Sequence, residues 1–445
     1  MEIVISIIAF IIVLGVLIFI HELGHFSVAK WCGVGVDEFS LGFGPKVFGV
    51  KKGETMYKIC AVPFGGYVKM VGEEPDEYVV KGQVMPDEVD AKILKKSFNR
   101  KPLKSRMAIV VAGSAMNLLL AFILFPTIFM LGFDKETYRD EAAVIGYVAP
   151  ESPAAEVGIQ KDDLILSVNG SDIKNWGNLE LEVGLRPGKE ALVRFQRDDV
   201  VYEEMLTPKP TSLGSGDAGL FPMAPPFVGV VMDNYPAKEA GIKEGDKVIS
   251  VNGTKISNFH AFKLIVTKDA EEKTITVLRE GKELSFALKP KYSEQNQSYL
   301  IGITNTYQGI PKYYGPVEAF KKGMAEMARL STLLYKVIKG MVAKEYSFKT
   351  LGGPIMIAQV SGMAAQSGLV PFLYLMAFLS LQLGIINMLP FPALDGGLFA
   401  FMGIEALSGK RFNEAVIEWV NQIGFMILII FMLIVTWNDF MRFFV

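Results

Sequence analysis

His21-Glu22-Leu23-Gly24-His25 sets two imidazoles four residues apart with a carboxylate between them. On a helix, residues at that spacing share one face, so both rings can reach one cation while Glu22 lies beside it. The arrangement suits a hydrolytic zinc site, in which two nitrogen ligands and a further protein group hold Zn2+, an open position admits water, and the carboxylate serves as base. Of the 3 histidines only His260 lies elsewhere, in a segment read as a loop. The third ligand is therefore a carboxylate or a thiolate. Cys32 follows His25 on the same face of a continuing helix, but about 10 Å further along its axis, too far to share the ion. Asp395 is the better candidate. It is the only carboxylate between Lys349 and Glu405, within Asn387-Met-Leu-Pro390-Phe-Pro392-Ala-Leu394-Asp395-Gly396-Gly397. The blander readings are a hydrogen-bonded pair of buried histidines and a simple turn at Asp395-Gly396-Gly397.

The elements that would carry these residues are membrane spans. A charge-free apolar run from Ile3 to Ile20 leads directly into His21, and as a helix it is about long enough to cross the roughly 30 Å hydrocarbon layer. Its flank, Met1-Glu2, lacks Lys and Arg, and no small-x-small cleavage site follows, which argues against a signal peptide. Met107 to Phe133 and Ile423 to Trp437 read as further spans. Another runs from about Leu369 to Leu389, interrupted by Gly384 and stopped by Pro390 and Pro392. Imidazoles and carboxylates in such segments are costly and functional by default. The first and third spans cross in the same direction and carry their motifs at their C-terminal ends, so the two motifs should meet near one surface. Lys95, Lys96, Arg100, Lys101, Lys104 and Arg106 crowd the start of the second span and mark that surface as cytoplasmic. Residues 30 to 106, with Lys410 and Arg411, then face the cytoplasm, whereas the N-terminus and residues 134 to 310 lie outside.

Composition narrows the function classes. Hydrophobic residues make up 51% of the 445, and a net charge of −2 leaves no basic footprint for nucleic acid. The 2 cysteines, Cys32 and Cys60, are too few for a disulfide framework and read as free thiols.

The outer segment contains a repeat. Ser152-Pro-Ala-Ala-Glu-Val-Gly158-Ile, followed by Asp163-Leu-Ile-Leu-Ser-Val-Asn169-Gly170, recurs as Tyr235-Pro-Ala-Lys-Glu-Ala-Gly241-Ile and Asp246-Lys-Val-Ile-Ser-Val-Asn252-Gly253. Each copy reads as a short helix with Pro in its first turn and Gly past its end, then an apolar strand closed by an Asn-Gly hairpin turn. The pattern resembles bacterial PDZ domains. It departs from an exact repeat where Tyr235 replaces the capping Ser152 and where Asp162 stands in place of Gly245. Downstream, Val317, Phe320, Met324, Met327, Leu330, Leu334, Val337 and Met341 recur at helical spacing among Lys321, Lys322, Arg329, Lys336 and Lys339. This is an amphipathic helix suited either to a membrane surface or to packing on a neighbouring domain.

HExxH in a first span, Asn-x-x-Pro-x-Pro-x-Leu-Asp-Gly in a later one and tandem PDZ-like copies between them resemble the site-two protease family of intramembrane zinc metalloproteases, closest to its bacterial regulator-of-sigma-E branch. Two cytoplasmic segments extend the likeness: Gly42-Phe43-Gly44, and Pro63-Phe64-Gly65-Gly66-Tyr67-Val68-Lys69-Met70, which resembles a membrane-re-entrant β-loop that engages substrate. The family's Ala-Gly-Pro-x-x-Asn stands here as Ala112-Gly113-Ser114-Ala115-Met116-Asn117, with Ser in place of Pro. The resemblance implies zinc held by His21, His25 and Asp395, with Glu22 as catalytic base. It implies substrate contacts by Asn387 and by Gly65, Gly66, Tyr67, Val68 and Lys69, and as substrate a single-pass transmembrane protein such as a trimmed anti-sigma factor in the bacterial inner membrane.

The expected fold is an α-helical membrane protein with about four transmembrane helices and two extracytoplasmic PDZ-like domains of β-rich α+β type. Its divisions are a first helix at 1–30, a cytoplasmic loop at 31–103 and a second helix at 104–133. PDZ-like domains follow at 142–225 and 226–310, then a surface helix at 316–345, a third transmembrane segment at 369–405 and a fourth helix at 420–441. The lipid bilayer and peptide ligands of the PDZ-like domains are further expected partners. Two rivals stand beside the protease. A membrane-anchored PDZ scaffold with a structural metal does not explain why Glu22 lies between the histidines. An ion transporter fits poorly with four spans and no inverted repeat.

Overall fold

The computed structural model describes residues 2–72, 79–80, 83–84, 95–133, 137–211, 214–293, 298–305, 312–410 and 412–442. Arg411 and most of the loop between Gly72 and Lys95 lie outside them. The chain forms two compact units. The first comprises Met1–Gly132, Tyr313–Ile338 and Gly352–Phe440, and the second Phe133–Lys312, Lys339–Leu351 and Met441–Val445.

Four helices among the described residues of the first unit are long and apolar enough to cross a membrane: Ile3–Trp31, Leu103–Leu131, Leu369–Asn387 and Ala415–Met441. The first helix continues through both histidines to Trp31, so the HExxH spacing acts on an uninterrupted helical face. The third stops at Asn387, and a separate helix, Asp395–Ser408, starts at the aspartate. Pro390 and Pro392 fall in the gap, where they can neither donate an N–H nor hold the preceding residue helical. Small residues let the spans approach. A Cβ at Gly24 would strike the Ala112 carbonyl, and the third span is tied to the second by Ser380 Oγ donating to the Asn117 carbonyl at 2.7 Å.

Between the first two spans, Val36–Lys52 and Thr55–Met70 pair antiparallel along more than one stretch. Residues 38–41 pair antiparallel with 66–69 on one side and in rising register with 56–59 on the other, while 46–52 pair antiparallel with the far flank of 55–60. The two long strands thus fold back into one sheet ordered 66–70, 36–41, 55–60, 46–52. Gly42 and Gly44, at φ +85 and +83, make the bend that lets one strand serve twice. Residues 66–70 lie at the edge, and no strand among the described residues pairs with their outer side.

The helix Pro316–Val342 packs on the spans over its part in this unit. Phe320 meets Phe122 edge-on at 5.5 Å, a Cβ at Gly323 would meet Pro126, and Glu326 accepts from Tyr374 at 2.7 Å. A helix at Pro354–Ser367, for which the sequence carried no apolar-run signal, receives its cap from a distance: Asp439 accepts the Gly353 and Met356 N–H groups, each at 3.0 Å.

In the second unit the same succession occurs twice: a short helix (Pro153–Glu156, Pro236–Ala240), a strand (Leu164–Val168, Lys247–Val251), a two-residue Asn-Gly turn, a helix (Trp176–Gly184, Phe259–Thr267) and a hairpin (191–206, 273–288). Both turns place Asn and Gly at positive φ, 48 and 75 in one and 48 and 78 in the other, which closes a tight hairpin. An arginine pins each copy, Arg197 on buried Asp163 and Arg279 on buried Asp246. Ser152 caps its helix through its side chain, whereas Tyr235 makes no such bond, and Asp162 takes the φ of +74 that Gly245 matches at +86. His260, expected in a loop, lies in the first turn of Phe259–Thr267 and stacks on Phe221 at 4.8 Å.

Candidate metal centre

The HExxH helix presents His21 and His25 toward the second span, with their Nε2 atoms 3.2 Å apart. Asp395, the first residue of its helix, brings Oδ2 to 3.4 Å from His21 Nε2 and 3.6 Å from His25 Nε2. A tetrahedral zinc at about 2.0 to 2.1 Å from each donor would space its ligands about 3.4 Å apart. The three donors therefore fit that ion in kind and in separation, and among the described residues this is the one cluster of its type.

The second span holds each donor. His25 Nδ1 lies 2.8 Å from the Ile109 carbonyl, which can only accept, so Nδ1 carries the proton and Nε2 keeps its lone pair for the cluster. The Asn117 amide lies 3.3 Å from His21 Nδ1, and its Oδ1 is buried without a hydrogen-bond partner. With that oxygen turned to the ring, Asn117 accepts Nδ1–H, and His21 presents Nε2 in the same way. Ser114 Oγ donates to Asp395 Oδ2 at 3.0 Å. Between these residues comes Gly113, where a Cβ would lie 2.8 Å from His21 Cε1 and 2.7 Å from His25 Cε1, closer than side-chain carbons approach.

The cluster opens on a cavity of about 700 Å³. Glu22 lines it beside the donors, and so do Gly66, Tyr67 and Val68 of the edge strand. Gly66 is what lets this strand come so near, since a Cβ there would sit 3.0 Å from Glu22 Cγ and 2.9 Å from Ile18 Cγ2. Tyr67 is held by its hydroxyl, which donates to Glu38 at 2.8 Å. The hydrogen bond from Lys58, and then that from Tyr67, keep the Glu38 carboxyl below the ordinary carboxylate range. Arg106 and Glu405, paired at 2.6 Å, also line the cavity, and Glu418, Asn421, Gln422 and Phe425 come from the fourth span.

Across residues 9–431 the sequence matches the family model for Peptidase family M50. The chain belongs to this family. M50 relatives align with it over nearly their whole length. Protease RseP of Yersinia pestis is 32% identical, covering 99% of this chain and 100% of its own. The regulator of sigma-E protease RseP of Escherichia coli is 31% identical, with 98% of each chain covered. A protein of Clostridium acetobutylicum described as a candidate zinc metalloprotease is 31% identical over 98% of this chain and 97% of its own. As an M50 member the chain is a metalloprotease, and its two-imidazole, one-carboxylate cluster is a donor set of that chemistry.

Of the residues singled out in the sequence, His21, Glu22, His25, Asp395, Gly66, Tyr67 and Val68 converge on this cavity, with Gly65 and Lys69 flanking in the same strand. Asn387 ends the third span and is not among the lining residues. The sequence reading missed the tasks of Ser114 and Asn117. Their motif was visible, and their three-residue spacing on a helix was the signal that both face the histidines. Arg106, Glu405 and Asn421 carried no local signal of pairing.

Proposed function

We propose that this M50 metalloprotease is an intramembrane zinc endopeptidase that cleaves transmembrane segments of single-pass membrane proteins. Supporting this is one observation above others: Glu22 shares a cavity with the three donors and with Gly66, Tyr67 and Val68 of the sheet's edge strand, so a base, a metal cluster and a stretch of extended backbone line the same space. His21, His25 and Asp395 would hold the ion. Zinc bound there supplies Lewis acidity, which polarises a scissile carbonyl and acidifies water. Glu22 takes the proton of the attacking water on its carboxylate and returns it to the leaving amine nitrogen. The backbone of Gly65, Gly66, Tyr67, Val68 and Lys69 pairs with substrate drawn out as a strand. Asn387 keeps the role its motif implies, contact with the substrate backbone.

The orientation follows the positive charge at the start of the second span. The N-terminus and the two β-rich copies lie outside the inner membrane, and the active site lies near the cytoplasmic side. The copies are PDZ-like domains that either exclude bulky substrates or bind peptide ends. The Escherichia coli relative is named a regulator of sigma-E protease, which motivates a trimmed, anti-sigma-factor-like substrate here. Zinc content and cleavage of a transmembrane peptide, measured on the unaltered chain and on Glu22→Gln, test the reading. Glu22→Gln should keep zinc and lose turnover. A scaffold with a structural metal would hold zinc in both and cleave with neither.

A further inference from the structure

Asp395 follows a loop whose shape is not self-sustaining. Ala393, two residues before it, has φ +70, a left-handed conformation that puts an L-residue's Cβ against its own backbone and that glycine alone adopts freely. Its N–H donates to Asn421 Oδ1, on the fourth span, at 3.2 Å. Three residues further along the same helix face, Gly424 abuts Pro392, where a Cβ would lie 2.6 Å from the proline carbonyl oxygen. The fourth span therefore meets the loop twice, once by hydrogen bond and once by close packing, immediately ahead of the aspartate. Ala393 and Asn421 both line the cavity.

We infer that Asn421 is a positioning residue for Asp395: by accepting the Ala393 N–H it holds residues 390–394 in the strained form that delivers the carboxylate to the two imidazoles. This rests on the metal-centre reading above. Without the acceptor, a partly buried donor loses its partner and the alanine can relax out of the left-handed region, carrying Asp395 with it. The carboxylate then meets the imidazoles less often, and the ion is held less tightly. The wall of the cavity and the metal ligand are in this way coupled through one amide.

The test uses the full chain in detergent, with zinc affinity read by competition against a chelator and site geometry read from the visible spectrum of the cobalt(II)-loaded protein. Asn421→Leu should weaken zinc about tenfold, the lower end of what loss of such a supporting contact costs a metal site, and should alter the cobalt spectrum. Asn421→Asp keeps an acceptor oxygen and should retain both. Ala393→Gly, placed in the Asn421→Leu background, removes the left-handed penalty and should restore most of the affinity. Asp395→Ala serves as reference. Should Asp395→Ala weaken zinc while Asn421→Leu does not, the positioning role is overturned and the metal centre stands. A loss in Asn421→Leu that Ala393→Gly leaves unrepaired also overturns it, because Asn421 would then act through packing alone. If Asp395→Ala binds zinc like the unaltered chain, the metal-centre reading falls, and this inference with it.

Discussion

Ser114 Oγ donates to Asp395 Oδ2 across 3.0 Å, and that same oxygen faces His21 Nε2 at 3.4 Å and His25 Nε2 at 3.6 Å. A hydroxyl from the second span thus fixes the carboxylate oxygen that completes the cluster. Ser114→Ala removes one donor without adding bulk, so the fold should persist while zinc binding weakens about tenfold, as when an outer contact of a ligand is lost. Asp395→Ala should weaken it further. Chelator competition on purified protein separates the two, and equal affinity in Ser114→Ala and the unaltered chain would remove the serine from the site.

A second tie joins the same two helices. Arg106 lies eight residues before Ser114, and Glu405 ten residues after Asp395, with 2.6 Å between the charged groups and side chains 7% and 15% exposed. Because the numbering rises on one helix as it falls on the other, the helices run antiparallel, and the shorter one, Asp395–Ser408, is stapled near both its ends. Removing one member takes from the other charge its 2.6 Å partner in a largely dry setting, at up to about 3 kcal/mol. Arg106→Met should therefore lower the unfolding midpoint in mixed detergent, and Arg106→Met with Glu405→Met should cost clearly less than the sum of the single changes. Additive effects would show that the pair is not coupled.

The sequence made the chemistry of the first helix legible because HExxH is a local pattern read at helical spacing, and Asp395 became legible by elimination among few carboxylates. Element types followed equally from local signals, namely apolar run length for the spans, Pro390 and Pro392 for the break, and Asn169-Gly170 with Asn252-Gly253 for the turns. Other features rest on contacts between residues far apart in the chain. Arg106 finds Glu405 across 299 positions, and Asp439 caps Pro354–Ser367 across 86, separations at which no periodicity carries information. His260 was misread for a related reason. Its helix is short, and its hydrophobic partner Phe221 belongs to the preceding copy.

Burial, and secondarily the charge of Lys263, hold the His260 pKa down to about 4, against 6.5 for a free imidazole. Between those values the unfolded chain binds a proton that the folded ring refuses, so stability is fully present above pH 6.5 and declines as pH falls toward 4. His260→Phe preserves a ring against Phe221 and removes the titration. Hydrogen-exchange protection factors across Phe259–Thr267 should fall between pH 7 and pH 5 in the unaltered chain, and fall less in His260→Phe. Identical pH dependence in the two proteins would assign the slope to another group.

The final prediction concerns how a helical substrate can present its backbone at all. A transmembrane helix hides each peptide group in its own hydrogen bonds, and each group left unpaired in hydrocarbon costs several kcal/mol, so an unwound segment needs replacement partners. The edge strand at 66–70 can supply them, because one side of it is taken by 36–41 and Gly66, Tyr67 and Val68 line the cavity that Glu22 also lines. Val68 is a poor place to test this. It is packed in the core with Phe39, so a change there would strike the fold as well as the edge. Gly66 is better placed, since a Cβ would press on the Ser40 carbonyl at 2.7 Å and on Glu22 Cγ at 3.0 Å and so push the strand from the base without touching a metal donor. Displacements of about 1 Å in a reacting geometry can cost on the order of a hundredfold in rate. Gly66→Ala should accordingly keep zinc, lose cleavage on that scale, and lose less with substrates that carry Gly or Pro near the scissile bond, because those arrive partly unwound and depend less on the strand for their backbone partners. Full cleavage of both substrate types by zinc-loaded Gly66→Ala would sink the strand-addition role. An equal loss on both would limit the glycine to keeping Glu22 in place.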